Sequence, residues 1–230
     1  MGSGKMIVIE GLDGSGKATQ SKLLEDALGK RGYRTRRISF PNYGSPSSSL
    51  VKMYLQGDFG SSPGDVNAYA ASTFFAVDRY AGMKQDWGAF YDDGGILLAD
   101  RYTTSNAVHQ CCKLKREEWD RYLDWLFFFE YEQLGLPNPD RVIYLRMRLE
   151  DSQALLTERY HGDASQRDIH ERNMEYLQMA HEAAEYCVQK YRWMTVDCFS
   201  SGDSIERGTL RDRKSIAEDI LKLAEQLLQK

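Results

Sequence analysis

Lys5-Met6-Ile7-Val8-Ile9-Glu10-Gly11-Leu12-Asp13-Gly14-Ser15-Gly16-Lys17 decides the fold. Residues 5–10 are a short β-branched run, and after Lys17 apolar Leu23, Leu24, Ala27 and Leu28 recur at helical spacing as far as residue 29. The chain opens strand, loop, helix, and the loop reads Gly-x-x-x-x-Gly-Lys. In that setting the glycines let backbone N–H groups of residues 14–17 curl into an anion nest, and the helix beginning at Lys17 adds the positive end of its dipole. Lys17 then reaches the β- and γ-phosphates as a point charge. A plain glycine turn from strand to helix is the competing explanation, but it gives no reason for a lysine beside the last glycine. Gly11, Asp13, Gly14, Ser15, Gly16, Lys17, Ala18 and Thr19 are therefore the candidate ATP-binding residues. Ala18 departs from the motif, which has Ser or Thr there to hold Mg²⁺. Thr19 comes one residue late, rotated by ~100° on a helix, so water or an acidic group must take that coordination position.

The rest of the chain alternates strands and helices without repeats or low-complexity tracts. Strands are expected at residues 34–40, 96–99, 141–145 and 193–196, and helices at 66–86, 103–134 (broken near 113–116), 149–159, 169–191 and 215–228, with a turn-rich stretch at 44–49. The runs Ile-Leu-Leu-Ala and Arg-Val-Ile-Tyr-Leu suit strands covered on both faces. This pattern predicts an α/β fold in three layers, a mostly parallel five-stranded sheet with helices on both faces. The 230 residues fit one domain, and the polar segment at about 158–168 reads as a mobile lid.

Composition narrows the function. With 42% hydrophobic and 28% charged residues the chain is an ordinary globular protein, and no apolar stretch approaches the ~20 residues of a membrane span. A net charge of −4 lacks the basic footprint of a nucleic-acid binder. Cys111, Cys112, Cys187 and Cys198 have neither Cys-x-x-Cys spacing nor scaffold density, and no secretory segment opens the chain, so reduced thiols in a cytoplasmic protein are expected.

Asp-Arg-Tyr occurs at 78–80, 100–102 and 120–122, so only context can sort the triplets. The third lies in a charged helical stretch and receives no role. Asp100-Arg101-Tyr102 follows a covered strand, where α/β sheets gather ligands beyond the carboxyl ends. Asp100 is a candidate metal residue, against the alternative of a structural ion pair with a lysine. In the first, Phe75 and Arg79 share a helical face, which by itself also describes a core Phe beside a surface Arg.

With these motifs in their order, the sequence resembles the thymidylate kinase (dTMP kinase) family from residue 6 to about 200. The loop Glu10-Gly11-Leu12-Asp13 through Lys17, Phe40-Pro41, the Phe75-x-x-x-Arg79 pair, Asp100-Arg101-Tyr102 with Ser105-Asn106, and Glu158-Arg159-Tyr160 carry the resemblance. It implies transfer of the γ-phosphoryl group of ATP, with Mg²⁺ as cofactor, to dTMP by a cytosolic homodimer with no nucleic-acid or membrane partner. It further implies that Phe75 stacks on thymine, while Arg79 and Asn106 or Ser105 bond the base edge or the neighbouring phosphate. Asp13 would accept from the sugar 3′-OH, Phe40 and Pro41 would line the acceptor site, Arg101 would clamp both reacting phosphates, and Asp100 would hold Mg²⁺ through water. Lys17, Arg101, Asp100 and a lid arginine, Arg159 ahead of Arg167, form the catalytic set. Gly14 stands where some members have a loop arginine, Tyr43 where many have an arginine near the acceptor phosphate, and His109 where an aromatic often lies by the sugar 2′ position. By itself His109 reads as a helix-surface or core residue rather than a proton donor. The base of ATP is expected near residues 200–213. Two other functions compete: a deoxynucleoside kinase, which needs a carboxylate base and usually shows Glu-Arg-Ser at the strand end, and a non-catalytic nucleotide-binding paralogue, suggested by Ala18.

Overall fold

A computed structural model describes residues 4–200 and 209–229. Its frame is a sheet of five parallel strands, β1 (Lys5–Gly11), β2 (Thr35–Ser39), β3 (Ile96–Asp100), β4 (Arg141–Arg146) and β5 (Met194–Asp197), in the order β2-β3-β1-β4-β5. Helices α1 (Lys17–Lys30), α2 (Ser49–Gln56), α3 (Ala68–Gly82), α4 (Gly88–Asp92), α5 (Thr103–His109), α6 (Trp119–Phe127), α7 (Leu149–Arg159), α8 (Met174–Tyr191) and α9 (Arg213–Leu228) complete it. The expected α/β architecture is present.

Alternation along the central strand makes the layers. Ile7 and Ile9 on one face pack with Leu24 and Leu28 of α1 and Ile216 and Ile220 of α9. Met6 and Val8 on the other meet Trp87, Leu97 and Tyr102, while Tyr144 on that side joins the core built by α5, α6 and α8. Both faces are buried, so the strand is a continuous apolar run instead of an alternating one. In register, Ile9 pairs with Asp100 and Gly11 with Leu145, so the carboxyl ends of β3, β1 and β4 meet at one edge of the sheet. All four cysteines are buried free thiols, and no described helix is long and apolar enough to cross a membrane.

The helices differ from expectation where side chains decide their ends. Asn67 caps α3 by accepting from the Ala70 N–H at 2.9 Å, delaying the start to Ala68. After Gly82 a π-helical turn, Met83–Trp87, carries the chain into α4, so the helical run outlasts residue 86. The region 103–134 is two helices joined by 3₁₀ turns, and a second π turn, Phe128–Gln133, closes it. The helix read from residue 169 begins at Met174, because Asn173 caps it and Ile169 is instead buried against Val51, Tyr54 and Leu55. Helix α2 follows the turn-rich stretch and was not anticipated.

Candidate active site

The phosphate loop joins β1 to α1. Gly14 and Gly16 adopt φ of 81° and 85°, a left-handed backbone that glycine takes without strain. At Gly14 a Cβ would also sit 2.5 Å from the Ser152 carbonyl oxygen, because α7 lies directly on the loop and the Ser152 hydroxyl donates to the Asp13 carbonyl. No side chain caps α1, which leaves its first N–H groups directed into the loop. Lys17 is buried, donates to the Leu12 carbonyl at 2.8 Å, and has its pKa drawn down to about 8, chiefly by burial and then by Arg101, against the pull of Asp13, Asp100 and Glu10.

Arg101, just past β3, is itself left-handed at φ 67°. Its guanidinium donates to Asp13 Oδ1 at 2.5 Å, Ser105 Oγ at 3.2 Å and His109 Nε2 at 3.1 Å, with Glu10 Oε1 at 3.7 Å. Burial would lower its pKa, but Asp13, Glu10 and Asp100 outweigh burial and hold it charged. Burial likewise pushes the Asp13 carboxyl up, and Arg101 and Lys17 more than reverse this, leaving it below the usual carboxylate range. The fully buried Glu10 accepts from Thr104 Oγ1 at 2.7 Å and Ser105 Oγ at 2.8 Å.

Lys17 and Arg101 line one cavity of about 300 Å³, together with Gly14, Gly16, Ala18, Asp100 and Arg159. It runs into a narrower pocket walled by Phe75, Arg79, Ser105, Asn106 and His109, and Asp13, Phe40, Pro41, Tyr43 and Asp168 border both. Gly11, Ser15 and Thr19 border neither; Thr19 is exposed on α1 and the Ser15 hydroxyl is buried without a hydrogen bond. Arg167 donates to Gln153 Oε1 at 3.0 Å and Thr157 Oγ1 at 2.8 Å and lines a different cavity, so only Arg159 of the two faces the loop.

Asp100 borders the loop cavity and Arg79 of the first triplet walls the adjoining pocket, whereas Asp120 of the third pairs with Lys190 at 2.6 Å on the surface. Asp78 accepts from Asn42 N at 2.7 Å and Ser47 Oγ at 2.5 Å and so holds the loop after β2. Arg79 is buried and forms a two-pronged pair with Glu130, Nε to Oε2 at 2.7 Å and Nη2 to Oε1 at 2.5 Å. Thr103 Oγ1 (2.6 Å) and Asn106 Nδ2 (3.3 Å) donate to the same carboxylate. Sequence reasoning missed Glu130, because it sits in the π turn after α6, far along the chain from Arg79. It also missed Asp168, at the end of the polar segment, and Glu171, just beyond it, both of which border the loop cavity. Burial, then Asp13 and Glu171, raise the Asp168 carboxyl to about 7.

Among the described residues no group of three or more His, Cys, Asp or Glu side chains could hold a metal. Asp100 is the carboxylate at the loop cavity that accepts no hydrogen bond from them, which fits Mg²⁺, a cation commonly held by one or two carboxylates plus substrate phosphates and water. Most of the segment expected near the base of ATP, residues 201–208, lies outside the described residues.

A sequence profile of the family described as thymidylate kinase matches residues 9–207. The chain is 32% identical over 202 residues to the thymidylate kinase of Mycobacterium tuberculosis, covering 83% of this chain and 90% of that protein. It is 28% identical over 224 residues to that of Homo sapiens, covering 96% and 93%. The solved structure of Candida albicans thymidylate kinase shares the fold, with a TM-score of 0.66 at 21% identity over 97% of this chain and 92% of that one. A profile match across most of the chain, coinciding with a phosphate loop that opens onto Arg101, shows that the protein belongs to the thymidylate kinase family.

Proposed function

We propose that the protein transfers the γ-phosphoryl group of ATP to dTMP, giving ADP and dTDP. The observation that carries this reading is the single cavity bordered by Lys17 and Arg101, continuous with the pocket of Phe75 and Arg79. ATP lies with its phosphates in the nest of residues 14–17, and the acceptor base stacks on Phe75. The acceptor phosphate's second pKa is near 6, so its attacking oxygen is already an anion and needs no general base. Asp13 fits that chemistry: a carboxyl held below the usual range by Arg101 and Lys17 is a poor base but a good acceptor for a sugar hydroxyl. This separates the reading from a deoxynucleoside kinase, whose neutral hydroxyl acceptor requires one.

The barrier is then the approach of two polyanions, and catalysis rests on placing cations around the transferring group. Lys17 holds the donor phosphates, Arg101 bridges donor and acceptor, and Arg159 enters from the end of α7. Residues 158–168 act as the lid of a single kinase domain that brings Arg159 in and excludes water. Asp100 would hold Mg²⁺ through water, and the ion, when bound, neutralises phosphate charge. Two copies associate through exposed apolar side chains such as Val77 and Tyr80 of α3, and the buried free thiols suit a cytoplasmic enzyme.

A coupled ADP-release assay with MgATP across dTMP, dUMP, dCMP, UMP and thymidine tests the reading. We expect dTMP to exceed every other acceptor in kcat/KM and chelation of Mg²⁺ to abolish turnover. A preference for dTMP below about tenfold, or faster use of thymidine, overturns the substrate assignment.

A further inference from the structure

Behind Arg101 a chain of polar contacts runs from Lys113 through Tyr54, His170 and Tyr176 to the His109 ring. Lys113 Nζ lies 2.6 Å from Tyr54 Oη and donates to the Val66 carbonyl at 3.1 Å. Tyr54 Oη is 2.7 Å from His170 Nε2, and His170 Nδ1 is 3.3 Å from Tyr176 Oη. Tyr176 spends its hydroxyl proton on the His109 carbonyl at 2.7 Å, so toward the rings it can only accept. His109 Nδ1 faces that same hydroxyl at 3.3 Å and His109 Nε2 faces Arg101 Nη1 at 3.1 Å. An arginine has no acceptor, so Nε2 must carry the lone pair and Nδ1 the proton. The His109 ring stacks on that of His170, with centroids 5.9 Å apart and 10° between planes. A second ring proton would point at a guanidinium, and burial followed by the Arg101 charge draws the His109 pKa down to about 3.

We propose that His109 is the positioning residue for Arg101: locked by Tyr176 as the neutral Nδ1–H tautomer, it offers Nε2 as an uncharged acceptor that aims the guanidinium at the phosphates. With Nη1 committed to His109 and Ser105 and one Nη2 hydrogen to Asp13, Arg101 keeps its Nε–H and the other Nη2 hydrogen clear of hydrogen bonds to the described residues. Asp13 fixes Nη2 and Ser105 takes one hydrogen of Nη1; His109 fixes the other Nη1 hydrogen without adding negative charge where two polyanions must meet.

The proposal rests on Arg101 acting in phosphoryl transfer, and two measurements separate the ideas. The first is independent of activity. Long-range ¹H–¹⁵N correlation spectra of the protein labelled at histidine nitrogens, assigned by loss of the signal in His109→Gln, should show the Nδ1–H tautomer at His109; the Nε2–H tautomer or an imidazolium overturns the proposal. The second is steady-state kinetics with dTMP, or with whichever monophosphate the wild type uses, alongside thermal midpoints. His109→Phe keeps the ring stack and the backbone carbonyl that Tyr176 bonds but removes the acceptor. We expect kcat to fall by roughly 10-fold to 100-fold, the scale of a hydrogen bond to a charged group, with KM for ATP little changed. His109→Gln, whose Oε1 can accept from Arg101, should recover most of the loss, and the shorter His109→Asn should not. A kcat for His109→Phe within about twofold of wild type, or His109→Gln no better than His109→Phe at equal thermal midpoint, overturns it. A wild type inactive with every monophosphate sinks the phosphoryl-transfer reading and leaves the tautomer measurement to judge the tether.

Discussion

Replacing Glu130 by Gln is a sharp test of how the acceptor pocket is held. The carboxylate is fully buried and accepts four hydrogen bonds, two from Arg79 and one each from Thr103 and Asn106. An amide of the same shape creates no cavity, so the packing contribution is small. The substitution removes the only opposite charge in contact with the buried Arg79 among the described residues, and turns one oxygen into a donor. Each oxygen accepts from one Arg79 nitrogen and one neutral donor, so either amide orientation leaves two donors unmatched. Breaking a buried pair by removing one partner costs about 3–5 kcal/mol. At about 2–4 °C per kcal/mol for a chain of this size, the thermal midpoint should fall by roughly 6–20 °C. Circular dichroism melts of the wild type, Glu130→Gln, Arg79→Met and the double variant measure it. The double variant should lose less than the sum of the singles, because neither charge is then stranded. A midpoint for Glu130→Gln within about 2 °C of wild type, or simple additivity, refutes the reasoning.

Lys17 must be protonated to hold phosphate, and its pKa in the free protein is about 8. Hence kcat/KM for ATP should decline as pH rises through about 8, and Lys17→Arg, slower throughout, should lose that alkaline limb; a wild-type profile flat up to the ordinary lysine value of about 10.4 contradicts this. Because Arg159 faces the loop cavity while Arg167 is tied to α7, Arg159→Ala should lower kcat by on the order of a hundredfold and Arg167→Ala by less than about threefold. The reverse order in single-turnover measurements would transfer the lid role to Arg167.

Local chemistry carried the frame into the sequence. A doubly covered strand has to be apolar throughout, and a loop that cradles phosphate has to be glycine-rich with an adjacent lysine, so β1, the phosphate loop and α1 are legible in thirteen consecutive residues and a helical repeat. The same holds for Asp100 and Arg101, placed by the end of a covered strand. Helix ends were less legible, because caps such as Asn67 and Asn173 and the two π turns depend on single side chains and on packing that periodicity does not register.

What only the tertiary structure decided are the partners of each charge. Glu130 reaches Arg79 across 51 residues, and Asp13 reaches Arg101 across 88. Tyr176, beyond the polar segment, returns to lie 3.3 Å from His109 Nδ1. Sequence neighbours share local conformation, and so local pattern reveals them. A buried ion must instead find compensation wherever the fold brings an acceptor, and that distance through space has no periodic signature along the chain.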